Sequence, residues 1–126
     1  MATLDDVRAL ALALPEAQER SGHEGTAAWH VRGKGFVWER PLCRADREAL
    51  GDAAPDGHVL GVRVADLDSK EAVLAEQPAA FTTPHFDGYP AVLLDLQRVA
   101  ADDLAELVTE AWLARAPKRL ARELTI

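Results

Sequence analysis

Apolar positions along this chain switch between two periods, and each switch marks an element. Leu4, Val7, Leu10, Ala11 and Leu14 recur every three or four residues and form one stripe, which predicts a helix over Thr3 to Leu14. Thr3 is placed to cap its first turn with Asp6 three residues on, and Pro15 stops it. Polar Glu16 to Gly25 reads as a loop. From Ala27 to Arg32 the period becomes two, with Trp29 and Val31 on one face and His30 and Arg32 on the other. Arg32-Gly33-Lys34-Gly35 is a turn signal, and Phe36, Val37 and Trp38 resume an extended run, so the segment predicts a β-hairpin.

Pro41 to Gly57 has no clean period and reads as a long loop with one helical turn at Asp46 to Leu50. A third strand is expected over His58 to Val64, with Leu60, Val62 and Val64 on a common face. Asp68 and Glu71 suggest a capped helix over Ser69 to Gln77, closed by Pro78. Phe81 to Leu96 reads FTTPHFDGYPAVLLDL: a stiff turn from Pro84 to Pro90, then a strand over Ala91 to Leu96. Turns rich in Pro and Gly are normally small and polar. This one carries His85, Phe86 and Tyr89, so its rings either pack back on the fold or face a partner.

The strongest helical pattern is Ala101 to Ala114, where Leu104, Leu107, Val108, Ala111 and Trp112 share a stripe. Asp102 and Asp103 in its first turn and Arg115 at its end suit the helix dipole. Pro117 starts a short final helix with Leu120, Ala121 and Leu124 inward. A hairpin with helices at both ends of the chain predicts an α+β fold, a single compact domain over residues 1–126. In it an antiparallel sheet carries the N-terminal and C-terminal helices.

Composition limits the function classes. With 126 residues, 48% apolar and 28% charged, the chain is long enough for one core and too apolar for disorder. Cys43 is the sole cysteine, which excludes an internal disulfide and a thiolate metal cage. The longest apolar run, Ala9 to Leu14, is too short for a bilayer, and no export signal is visible, so a cytoplasmic location with no membrane association is expected. The net charge of −7 opposes bulk attraction to polyanions, but it is unevenly spread. Arg20 to Arg47 holds six cations against three carboxylates, and Arg115, Lys118, Arg119 and Arg122 face only Glu123 near the C-terminus.

Candidate chemistry is sparse. None of His23, His30, His58 and His85 pairs with another at helical i, i+4 spacing, so no metal site is expected. Cys43 lies beside Arg44 but without a base, Gly33-Lys34-Gly35 is too short for a phosphate loop, and no dinucleotide fingerprint occurs. The expectation is therefore a non-enzymatic domain without a cofactor. The hairpin survives as a candidate: Trp29, Phe36 and Trp38 supply rings, while Arg32 and Lys34 at its tip can meet phosphates, with Lys118 and Arg119 as a second contact.

Several segments, taken in order, cover nearly the whole chain: Leu12-Ala13-Leu14-Pro15, Val31-Arg32-Gly33-Lys34-Gly35-Phe36, Pro78-Ala79-Ala80-Phe81, the turn Pro84 to Pro90, and Ala111-Trp112 followed by Ala116-Pro117-Lys118-Arg119-Leu120. Together they resemble the MmcQ/YjbR family. The resemblance implies a CyaY-like α+β fold and a double-wing surface that binds double-stranded DNA. Carried onto this chain, it makes Arg32 and Lys34 one contact, and Lys118 and Arg119 with the His85 and Tyr89 turn another. The Asp102 to Glu110 face departs from what a DNA binder wants, since it would repel phosphate. The rival expectation is a protein-interaction or small-ligand-binding module in which the turn around His85 and Tyr89 lines a shallow pocket with Trp38 or His23.

Overall fold

The structure, a computed structural model, describes residues 2–124 without the side chain of His23. Six strands form one sheet: β1 (Ala17–Ser21), β2 (Ala27–Val31), β3 (Lys34–Glu39), β4 (Val59–Arg63), β5 (Ala80–Phe81) and β6 (Ala91–Asp95), in the order β1-β2-β3-β4-β6-β5. Every pairing is antiparallel, which gives the α+β domain that the hairpin pattern predicted. Five helices accompany it: α1 (Leu4–Leu12), α2 (Arg44–Leu50), α3 (Leu67–Glu76), α4 (Ala101–Arg115) and α5 (Lys118–Leu124).

Alternation decides which face each strand buries. Leu60 and Val62 of β4 lie beside Leu94 and Val92 of β6, and all four face α1 and α4 in the main core. Val59, Ala91 and Leu93 point the other way, where Phe86 from the aromatic turn covers them. The centre of the sheet is thus dry on both sides, and β6 has no exposed position. A bulge between Trp29 and His30 lets Phe36 and Val37 both enter the main core, because β3 gains one residue over β2 there. The rings of Trp29 and Trp112 are fully buried, and their indole N–H groups donate to Glu19 Oε1 (3.0 Å) and the Pro15 carbonyl (3.1 Å). Both bonds satisfy a polar atom that burial would otherwise leave unpaired.

Helix α1 starts as its sequence indicates. Thr3 Oγ1 accepts from Asp6 N–H at 3.2 Å, and Asp6 Oδ2 accepts from Thr3 N–H at 2.9 Å. Three expectations need correction. The segment read as a loop over Glu16 to Gly25 contains edge strand β1, whose Gln18, Glu19 and Arg20 are exposed and lack an apolar signature. Its backbone is satisfied by β2, so polar side chains cost nothing there. Helix α3 is capped by Asp66, which accepts from Ser69 N–H at 2.8 Å, and not by Asp68. The 41–57 segment holds a full α2 starting at Arg44 rather than a single turn at Asp46.

Candidate binding surfaces

The β2–β3 hairpin turns on Arg32 and Gly33, both at positive φ (51° and 80°), the geometry that suits two-residue hairpins. That turn projects Arg32 and Lys34 into solvent. Arg32 is not free: its Nε and Nη2 donate to Glu16 Oε1 (2.6 Å) and Oε2 (2.9 Å), a bidentate pair across the sheet edge. The bond from Arg32 holds the Glu16 carboxyl below its ordinary value. The charge of Glu123 in α5 adds a minor rise to the Arg32 pKa, so the last helix lies within electrostatic range of the hairpin tip. Arg119 sits one turn before Glu123 and so shares its helix face. The two basic segments, far apart in sequence, therefore lie within electrostatic range of each other. Lys34, Lys118 and Arg119 are exposed and make no ion pair among the described residues. With Arg32 and Arg122, the hairpin tip and α5 carry five cations against Glu16 and Glu123.

A second surface lies on the sheet face opposite α1 and α4, at the β1–β2–β3 end that Phe86 does not reach. It is a groove of about 730 Å³. Register sets its floor: Arg20, Ala28 and Trp38 line it in one cross-strand row that continues to Gly61 beneath the indole, and His30 and Gly35 line it in the next. The small residues create the depression. A side chain at Gly61 would overlap the Trp38 indole, and the His30 ring lies over Gly35, 3.4 Å from where a Cβ would stand. Loop residues Arg40, Pro41 and Cys43 close the far rim.

Most charges around that rim are already engaged. Arg40 pairs with buried Asp46 (3.1 Å), donates to the Pro41 carbonyl and stacks over the Phe86 ring at 5.5 Å. Asp46 Oδ2 also accepts from the Cys43 backbone N–H (3.0 Å) and Sγ (3.2 Å). Burial pushes the Asp46 carboxyl up, but the bonds from Cys43 and the Arg40 charge outweigh it and leave the group below the usual aspartate value. Glu39 accepts from Ala27 N–H (3.3 Å) and pairs with His58 (3.4 Å). Burial, then the charge of Arg20, holds His30 below the ordinary histidine value, so its imidazole is neutral at pH 7. The Nδ1 atom of His30 is buried without a partner.

The aromatic turn serves the fold first. Lys70 of α3 is buried, and its ammonium donates to the carbonyls of Phe86 (2.6 Å) and Tyr89 (2.9 Å), pinning the turn to α3. Burial lowers the Lys70 pKa. Phe86 is the buried ring; His85 is exposed and Tyr89 is 42% exposed, stacked against Arg63 at 5.2 Å. Neither His85 nor Tyr89 lines the groove, which holds Trp38 instead; both touch Phe86. The His23 side chain lies outside the described residues. Sequence reasoning missed His30, Arg20 and Asp46. The alternation of β2 did put His30 opposite Trp29, but with β1 unrecognised nothing placed Arg20 beside it. Among the described residues no group of three His, Cys, Asp or Glu side chains could hold a metal ion, and no helix is long and apolar enough to cross a membrane.

Comparison with known proteins agrees with this architecture. The fold is similar to the crystal structure of Deinococcus radiodurans protein DR2400, a DUF419 domain, with a TM-score of 0.67 over 100% of this chain and 90% of that one at 20% identity. An uncharacterized protein of Mycobacterium tuberculosis and one of Mycobacterium bovis are each 49% identical to it over 97% of this chain and 95% of their own. The YjbR family model matches residues 12–114, from the end of α1 to the last turn of α4. With that match across most of the chain and relatives this similar along their whole length, the chain belongs to the YjbR family.

Proposed function

We propose that this YjbR-family chain is a non-enzymatic domain that binds double-stranded DNA weakly through the β2–β3 hairpin tip and α5. The observation that carries the reading is the electrostatic proximity of those two basic segments, with Lys34, Lys118 and Arg119 exposed and without ion-pair partners among the described residues. Phosphate contacts need no pocket, only cations held on one side of the protein. The overall charge of −7 limits the affinity and makes it depend strongly on salt. The non-enzymatic part rests on Cys43. Its thiol donates to Asp46, a carboxylate held below its usual pKa and so a poor proton acceptor. A cytoplasmic location belongs to the same reading, as the sole cysteine is exposed and unbridged.

Fluorescence anisotropy with a short duplex tests it. Three phosphate contacts give a slope of log K against log salt of roughly −3. Replacing Lys34, Lys118 and Arg119 with glutamine together is expected to abolish binding at low salt. Glu16→Gln is expected to strengthen it and steepen the slope by about one, because Arg32 is released from its carboxylate partner. No binding at low salt, or a triple variant that binds as well as the parent, removes the proposal.

A second reading, a protein partner on the aromatic turn, has one observation in its favour: Tyr89 remains 42% exposed although it touches both Phe86 and Arg63. Tyr89→Ser is expected to leave DNA anisotropy unchanged, which separates the two surfaces.

A further inference from the structure

We infer that the groove on the open sheet face is a binding site for a small planar aromatic anion, with Trp38 stacking its ring and Arg20 pairing with its charge. The site is independent of the DNA-binding surface. Arg20, Ala28 and Trp38 lie in one row on neighbouring strands, with roughly 10 Å between the backbones of Arg20 and Trp38, and the indole leans on over Gly61 of the next strand. The position between them is filled only by the methyl of Ala28. A flat ligand lying across Ala28 therefore reaches the indole at one end and the guanidinium at the other.

The surroundings favour a flat shape. His30 stands in the adjacent row beside Gly35, so the slot has an imidazole along one side and an indole at its end. Trp38 keeps its position only because Gly61 lies beneath it, and the His30 ring rests over Gly35. The cavity, about 730 Å³, falls in the range of roughly 300–1,000 Å³ typical of small-molecule sites. Trp38 is half-buried, whereas Trp29 and Trp112 are fully enclosed, so only one of the three indoles is offered to a ligand.

The sign of the charge follows from what is already paired. Asp46 takes the charge of Arg40, and Glu39 is tied to the Ala27 N–H and to His58. Glu24, at the mouth, is also engaged. Burial and the nearby guanidinium keep His30 neutral. Arg20 is then the cation of the groove that the carboxylates Asp46 and Glu39 do not neutralise. An aromatic carboxylate or phosphate meets both ends of this arrangement, while an aliphatic anion uses only one.

The test uses 2-naphthoate and its neutral analogue 2-naphthamide, titrated against the full chain with the three tryptophan indole N–H resonances as readout. Naphthoate is expected to shift the Trp38 resonance and leave those of Trp29 and Trp112 in place, and to bind at least fivefold tighter than the amide. Arg20→Gln is expected to erase that preference. Ala28→Leu fills the slot and is expected to abolish binding of both, while DNA anisotropy stays at the parental value in both variants. Binding of naphthoate and amide with equal strength overturns the charge assignment. A Trp38 signal that stays put at millimolar naphthoate, or undiminished binding by a folded Ala28→Leu protein, overturns the site itself.

Discussion

Asp46→Ala is expected to destabilise the protein by about 3 kcal/mol, near the lower end for breaking a buried ion pair, which lowers the melting temperature by roughly 10 °C for a chain of this size. One oxygen, Oδ2, holds three donors: the N–H that begins α2, the Cys43 thiol and the Arg40 guanidinium. Alanine leaves Arg40 largely buried without its counter-charge and removes the side chain that caps α2. The cost is moderated because Arg40 keeps the Pro41 carbonyl and the Phe86 ring. Asp46→Asn is expected to lose less, since the amide oxygen still accepts.

The carboxylate adds a pH signature. Its pKa is lower folded than unfolded, so the unfolded chain binds more protons as acid is added. The contribution of the charge is complete above the ordinary aspartate value of 3.8 and disappears as pH falls through the folded value. Urea midpoints of the parent and Asp46→Asn, measured from pH 7 down to pH 2.5, are expected to differ most at neutral pH and to converge in acid. A gap that is constant with pH would show that the carboxylate charge plays no part.

Gly61→Val is expected to cost about 2 kcal/mol, within the range for overpacking, and to expel the Trp38 ring from its place. The backbone at Gly61 is ordinary strand; the restriction is spatial, because any Cβ there would overlap the indole. Gly61 is also buried and flanked by Leu93 of β6, so the strand cannot retreat. Trp38 must rotate toward solvent, and its emission is expected to move to the red. Gly35→Ala is the matched control. Its Cβ would stand 3.4 Å from His30, an ordinary contact, and near-parental stability and emission are expected. Red-shifted emission in Gly35→Ala, or an unmoved spectrum in Gly61→Val, would separate the groove from its glycine floor.

Helices α1 and α4, the β2–β3 hairpin and strands β4 and β6 were legible in the chain because each carries its own period. A stripe at three-to-four spacing in Leu104, Val108, Ala111 and Trp112, or alternation in Leu60 and Val62, records burial that neighbours in sequence share. Strand β1 was not legible. Its side chains face water, and what makes it a strand is the hydrogen-bonding edge of β2. Helix α3 was found but given the wrong cap, since Asp66 and Asp68 are equally plausible until the backbone direction is known.

The candidate surfaces divide the same way. Local sequence determined that Arg32 and Lys34 would top a tight hairpin, that a rigid ring-bearing turn would precede β6, and that the chain would bury one core without disulfides. Tertiary structure alone decided that Arg32 is clamped by Glu16, that α5 comes within electrostatic range of the hairpin tip, and that Lys70 fixes the turn at Phe86 and Tyr89. It alone lined up Arg20, Ala28 and Trp38 on one face. The physical reason is that periodicity reports which way a side chain points, whereas a pair or a groove depends on register between strands. Register is set by hydrogen bonds between segments that no short stretch of sequence contains together.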